Sequence, residues 1–124
     1  MTLDAHDVRI FVPAQNFELS RRFYARLGWV ENWCNGGLAE LELAGQRLFL
    51  QDFYVKDWAD NFMIHVTVED VDACYAQARE VVAEGEFEPA RSQAPKDEPY
   101  GARVAYVWDP SGVLIHFAQP TEKT

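Results

Sequence analysis

The sequence repeats one structural pattern twice, at a spacing of 56 residues. Alternating apolar residues predict a half-buried strand over Val8–Val12 and a second strand, in the same phase, over Ile64–Val68. A helical pattern follows each strand, and further strands follow each helix. Because one helix and a few strands cannot bury a hydrophobic face by themselves, this repeat predicts two modules that share one core.

Each predicted helix has recognisable ends. Asn16 is a candidate N-cap for a helix over Phe17–Arg26, and Gly28 supplies the left-handed residue that ends it. Asp70 is the corresponding cap of a helix that reaches about Ala83. The apolar residues of both helices recur every three or four positions, which predicts that each helix packs one side against a sheet.

The remaining strands fall between turn signals. They are predicted over Trp29–Cys34, Leu38–Leu43, Arg47–Gln51, Val104–Trp108 and Val113–Ala118. The segments 52–61 and 88–101 show no clear period and are interpreted as loops. The fold class is therefore α+β, with modules at about 5–55 and 61–120 in one domain that spans 1–124.

The charge balance restricts the partners. The 124 residues include 20 Asp and Glu against 11 Lys and Arg, for a formal net charge of -9. Such a chain lacks the basic patches that bind nucleic acids or anionic membranes. The start of the chain has no signal-peptide pattern, and no apolar run approaches the roughly 18 residues of a membrane span. We therefore expect a cytoplasmic protein with no nucleic-acid or membrane partner.

Three sequence motifs occur in order along the chain. They are FYARLGW at Phe23–Trp29, VTVEDVD at Val66–Asp72 and WDPSGVLIHF at Trp108–Phe117. Together they resemble the vicinal oxygen chelate superfamily, which includes glyoxalase I, extradiol dioxygenases and bleomycin resistance proteins. The resemblance implies paired βαβββ modules that form a cupped mixed β-sheet with the helices on the outer face, in a homodimer.

The resemblance also identifies four strand positions where metal-dependent members carry His or Glu. In this sequence those positions hold Asp7, Phe49, Met63 and His116. A phenylalanine cannot ligate a metal, and a thioether suits soft copper rather than hard catalytic cations. The resemblance therefore implies no metal cofactor. The alternative is a divalent metal ion bound in a shifted register by Asp7, His65 and His116.

Strand phase predicts a ligand-binding wall on the inside of the cup. Its members are mostly aromatic or apolar, with two histidines among them. They are Phe11, Trp33, Phe49, Met63, His65, Tyr106, Trp108 and His116. Apolar walls with a few convergent polar groups are typical of small-molecule pockets, although each ring taken singly is as well explained by filling the core or a dimer interface. Glu40 and Glu42 share a strand face and are expected to be solvated.

The leading hypothesis is a metal-free protein of the bleomycin-resistance type that binds and sequesters an aromatic small molecule, such as an antibiotic. The acidic charge favours a cationic guest. One alternative is a metal-dependent lyase, isomerase or dioxygenase of the same fold, so the sequence leaves enzymatic activity open. A second alternative is a structural or regulatory module whose cup is filled by its own side chains.

Overall fold

Two four-stranded sheets form the protein, one from each half of the chain. The computed structural model describes residues 2–121. The first half forms β1 (Phe11–Pro13), α1 (Phe17–Leu27), β2 (Val30–Asn35), β3 (Leu38–Leu43) and β4 (Gln46–Gln51). After the short helix α2 (Lys56–Asp60), the second half forms β5 (Met63–Thr67), α3 (Val71–Ala83), β6 (Arg91–Glu98), β7 (Ala102–Trp108) and β8 (Leu114–Pro120).

The order of the strands is the same in both sheets. It is β1-β4-β3-β2 in the first sheet and β5-β8-β7-β6 in the second. The β1–β4 and β5–β8 pairs are parallel, and the other pairs are antiparallel. The predicted α+β class with mixed sheets is therefore confirmed, as two hydrogen-bonded sheets rather than one continuous sheet.

Both long helices begin where their capping residues predict. The Asn16 side chain accepts a hydrogen bond from the backbone N–H of Leu19 at 3.1 Å, and Asp70 accepts one from Ala73 at 3.1 Å. Gly28 ends α1 with a φ of 123°, a conformation that favours glycine. Within residues 2–121, no helix is long and apolar enough to cross a membrane.

Among residues 2–121, the larger of two hydrophobic cores contains both helices and one face of each sheet. Phe23 of α1 and Phe87, which follows α3, join the halves with ring centroids 5.4 Å apart. Both side chains are almost completely buried, as are Leu50 of β4 and Ile115 of β8. Buried residues from both halves of the chain belong to this core.

The spacing of the repeat is 54 residues, not 56. The helix caps Asn16 and Asp70 lie 54 positions apart (16 to 70). When Phe49 is matched to His116, as at the metal positions above, the strand register gives the same spacing, because Phe11 pairs with Phe49 and His65 pairs with His116 (11 to 65). A shift of two residues keeps every side chain on the same face of a strand, so the apolar alternation cannot detect it.

The first strand is shorter than predicted and begins at Phe11. Val8 and Ile10 were expected to face the helices, but their side chains are 84% and 49% exposed. They line a cavity of about 490 Å³ together with Ile64–Thr67 of β5. Alternation sets the direction in which these side chains point, whereas burial requires a covering element, and the described chain supplies none.

Both segments interpreted as loops contain regular structure. Segment 52–61 includes α2, whose five residues are too few to show a helical period. Segment 88–101 includes β6, an edge strand on β7 with a bulge between Gln93 and Lys96. Pro95 lies in that bulge, where a strand tolerates the missing backbone N–H. An edge strand with little burial needs no apolar alternation, which explains why the pattern was absent.

A buried hydrogen-bond network ties the two halves together. Asp109, in the turn between β7 and β8, accepts a hydrogen bond from the Tyr24 hydroxyl of α1 at 2.7 Å. The same carboxylate accepts backbone N–H bonds from Ser111 at 2.7 Å and Val113 at 3.0 Å. Burial raises the pKa of Asp109 to about 6, although these hydrogen bonds oppose the shift.

This raised pKa predicts a specific pH dependence of stability. Because the folded protein holds a proton that the unfolded chain releases near pH 4, the contribution of Asp109 is largest below pH 4. It declines until about pH 6, by about 3 kcal/mol. The free energy of unfolding of the wild type, measured by urea titration relative to Asp109→Asn, should fall accordingly. Asp57→Asn, at an exposed carboxylate, controls for the substitution itself. A constant difference between wild type and Asp109→Asn across this pH range would contradict the assignment.

Candidate functional site

Each sheet has an open face, defined here as the face turned away from the helices. In the first sheet the strand register aligns four open-face residues in one row across the strands. They are Phe11 of β1, Phe49 of β4, Glu40 of β3 and Trp33 of β2. The alternate residues Ala39, Leu41 and Leu50 are buried in the core. Strand periodicity therefore separates the core from the candidate site residue by residue.

Three rings of that row form the first aromatic cluster, which consists of Phe11, Trp33 and Phe49. The ring centroids of Phe11 and Phe49 lie 5.3 Å apart, and those of Trp33 and Phe49 lie 5.7 Å apart. Phe11 and Trp33 are 44% and 42% exposed. The cluster is thus an ordered aromatic surface that remains partly accessible.

Glu40 is buried beside this cluster, so the expectation that it is solvated was wrong. It pairs with Arg9 and accepts a hydrogen bond from the Asn32 side chain at 2.7 Å. The bond from Asn32, followed by the contact with Arg9, lowers the pKa of Glu40. Arg9 also bonds Asp7 at 2.9 Å and lies 5.2 Å from the Phe49 ring centroid. These contacts replace the water that would otherwise solvate the carboxylate.

The second sheet carries two rows of open-face residues. One row contains Arg91, Trp108, Leu114 and Met63, and the next contains Gln93, Tyr106, His116 and His65. The predicted residues among them form the second cluster, which consists of Met63, His65, Tyr106, Trp108 and His116. Tyr106 lies 5.0 Å from His116 and 6.4 Å from Trp108 between ring centroids.

Hydrogen bonds and burial set the protonation states in the second cluster. The Tyr106 hydroxyl donates to Glu98 at 2.7 Å, and this bond raises the pKa of the tyrosine. Burial, followed by the neighbouring His65, lowers the pKa of His116. His116 Nε2 lies 3.3 Å from the sulfur of Met63. Near neutral pH, Tyr106 is therefore a neutral phenol and His116 a neutral imidazole.

The eight predicted site residues do not surround one pocket within a chain. Three lie on the first sheet and five on the second, and the aromatic contacts among them stay within each cluster. Of the eight, only His65 lines the cavity of about 490 Å³. Strand phase predicted the correct faces, but the faces of the two sheets do not close on each other.

The corrected spacing changes which residues occupy the metal positions. The residue that matches Met63 is Arg9 rather than Asp7, so the four positions hold Arg9, Phe49, Met63 and His116. A cation, a phenyl ring, a thioether and one imidazole do not fit a divalent metal. The alternative ligands Asp7, His65 and His116 do not form a metal site either, because within residues 2–121 no three His, Cys, Asp or Glu side chains converge as ligands.

Two cations beside the second cluster were missed by the sequence analysis. The Arg91 guanidinium carbon lies 3.6 Å from the Trp108 ring centroid, and Lys96 Nζ lies 5.9 Å from that of Tyr106. Both cations belong to β6, which was interpreted as a loop. No local pattern in that segment indicates which rings its side chains meet, because the pairing with β7 is a long-range contact.

Comparison with solved structures shows the fold. A bleomycin-binding protein complexed with bleomycin has a TM-score of 0.76 and 23% identity, over 93% of this chain and 98% of that one. A bleomycin resistance determinant encoded on the transposon Tn5 has a TM-score of 0.76 and 22% identity, over 94% and 100%. An antibiotic binding protein from a Streptomyces species has a TM-score of 0.75 and 23% identity, over 96% and 99%.

Sequence comparison alone finds no relative of this chain. No protein-family model matches it, and no curated protein matches it. The likeness to bleomycin-binding proteins therefore lies in the arrangement of strands and helices along nearly the whole chain.

The donor set predicts that the protein binds no stoichiometric divalent metal. Arg9 repels a cation, and His116 is the one strong ligand among the four positions. Isothermal titration with Zn²⁺, Mn²⁺ and Ni²⁺ at micromolar protein should detect less than one equivalent per chain. One equivalent that is lost in His116→Ala would contradict this prediction.

Proposed function

We propose that this protein binds a planar aromatic small molecule between its aromatic clusters and sequesters it without changing it covalently. The observation that carries the proposal is the presence of ordered, partly exposed rings on the open face of both sheets. Ring faces of this kind stack on planar guests, and stacked aromatic pairs contribute about 0.5–1.5 kcal/mol beyond their buried area.

The exposure of the rings favours binding over a purely structural role. A ring that fills a core is buried, as are Tyr24 and Trp29, whose centroids lie 5.1 Å apart in the shared core. Phe11 and Trp33 remain more than two-fifths exposed although they contact Phe49. Their surface is available to a guest or to a second protein chain.

We further propose that a second copy of the chain completes the guest site. The open faces do not close on each other within one chain, and apolar residues of the N-terminal segment are also uncovered. Leu3 and Val8 are 88% and 84% exposed, and Met63 in the second cluster is 62% exposed. Uncovered apolar surface of this kind marks an interaction site. A homodimer places the open face of one copy opposite that of its partner.

The structural neighbours support the same function. One neighbour is described as a bleomycin-binding protein, one as a bleomycin resistance determinant and one as an antibiotic binding protein. By this analogy the guest is an antibiotic. No observation favours the metal-dependent alternatives, because the residues at the four metal positions do not fit a catalytic ion.

Replacing single rings should weaken binding without unfolding the protein. For the neutral probe anthracene-2-carboxamide, we expect Trp33→Leu or Trp108→Leu to lower affinity about tenfold, because each removes a stacking surface. Phe53→Leu, which alters a half-exposed ring outside both clusters, is the matched control. Equilibrium dialysis followed by chromatography measures the affinity and recovers the probe. Equal affinities in all variants, or a modified probe, would contradict the proposal.

The assembly is predicted to be a dimer that depends on the N-terminal segment. Light scattering should give about twice the mass of one chain. Val8→Glu should shift the protein toward monomer, because a carboxylate would be buried against the partner. Val55→Glu, at an exposed apolar position before α2, should not. A monomeric wild type at micromolar concentration would contradict the dimer.

A further inference from the structure

The second cluster differs from the rest of the protein in its charge. Almost every basic side chain in residues 2–121 lies at ion-pairing distance from a carboxylate, and the exceptions are Arg79 and Arg91. In a chain with 20 acidic residues against 11 basic ones, an arginine without an acidic partner is unexpected. Arg91 is also the arginine that lies over a ring of the candidate site.

The contact between Arg91 and Trp108 leaves the hydrogen-bonding edge of the guanidinium free. At 3.6 Å from the indole centroid, the guanidinium uses its face for the cation–π contact. Its N–H groups lie in its plane and match the two oxygens of a carboxylate. Stacking therefore holds the cation in place without using the donors that recognise an anion.

A second cation on the same strand is only loosely paired. Lys96 lies 5.9 Å from the Tyr106 ring and 3.9 Å from the nearest carboxylate oxygen, that of Glu98. The Glu98 carboxylate already accepts a hydrogen bond from the Tyr106 hydroxyl at 2.7 Å. The strand β6 thus places Arg91 over the Trp108 ring and Lys96 near the Tyr106 ring, with Glu98 at the hydroxyl of Tyr106.

There is space for an acidic group beside Arg91. A cavity of about 350 Å³ is lined by Asp60, Pro89, Arg91, Trp108, Asp109 and Gly112. Of its two carboxylates, Asp60 is bound to Lys56 at 2.6 Å and Asp109 is satisfied by the buried network. Arg91 is therefore the group in this cavity whose charge has no partner among the described residues.

We propose that the guest of the second cluster is a planar aromatic anion, with a carboxylate or phenolate that pairs with Arg91 while its ring lies against Trp108 and Tyr106. This inference rests on the proposed binding function and names the chemical class of its guest. The proposed anionic guest differs from the cationic guest that the net charge of the chain favours. The charge at the site, not the sum over the chain, acts at contact distance, because salt screens charges beyond about 8–10 Å.

Three probes with one ring system test the charge of the guest. They are anthracene-2-carboxylate, the neutral anthracene-2-carboxamide and the cationic 2-(aminomethyl)anthracene, each titrated by isothermal calorimetry at pH 7 and low salt. The wild type should bind the carboxylate about fivefold more tightly than the amide, and the amine more weakly than both.

Matched variants assign that preference to β6. Arg91→Gln should bring the affinity for the carboxylate close to that for the amide when both are measured on the same variant. Lys96→Gln should reduce the preference in part. Arg22→Gln, which removes an exposed cation on α1, is the control and should leave it unchanged. Circular dichroism and thermal melting confirm that each variant is folded.

The outcomes separate this inference from the proposed function. Three outcomes would overturn the anionic guest while leaving aromatic binding intact. They are equal affinity for all three probes, tighter binding of the amine, and a preference for the carboxylate that survives the double change of Arg91 and Lys96 to Gln. Failure of the wild type to bind any of the three probes would overturn both.

Discussion

Each sheet of this protein can bury only one of its faces against the helices of its own chain, and the rest of the structure depends on that limit. The helices α1 and α3 pack in one core with the apolar face of both sheets. The buried bond from Tyr24 to Asp109 fixes the first half against the second. The opposite faces carry the rings, histidines and cations of the candidate site, and the second sheet also buries Ala102, Val104 and Ala118 there, beside Tyr106.

This division separates stability from recognition along each strand. In β7, Ala105 and Val107 are fully buried, whereas their neighbours Tyr106 and Trp108 are only partly buried on the open face. Residues of the open face can therefore change without disturbing the core, which explains physically how one fold supports different site chemistries. At the strand positions that the sequence resemblance marks for metal ligands, this chain carries Arg9, Phe49 and Met63.

The electrostatic character of the site likewise follows from contacts rather than from composition. A net charge of -9 predicts attraction of cations at long range, yet salt screens that field within about a nanometre. On the first sheet, Arg9 and Glu40 neutralise each other beside Phe49. On the second sheet, Arg91 has no acidic partner among residues 2–121. The two open faces thus offer similar rings but different charges.

The sequence by itself determined the elements that depend on neighbours along the chain. The helix caps at Asn16 and Asp70, the repeated order of elements and the face of each predicted site residue follow from local hydrogen bonds and from strand and helix periods. The two caps already lie 54 residues apart in the sequence, although the strand pattern, which a two-residue shift preserves, suggested 56. Only the tertiary structure decided the existence of β6, because an edge strand needs no apolar pattern. It also decided that Arg91 lies over Trp108, since the register between β6 and β7 is a long-range property that no segment encodes alone.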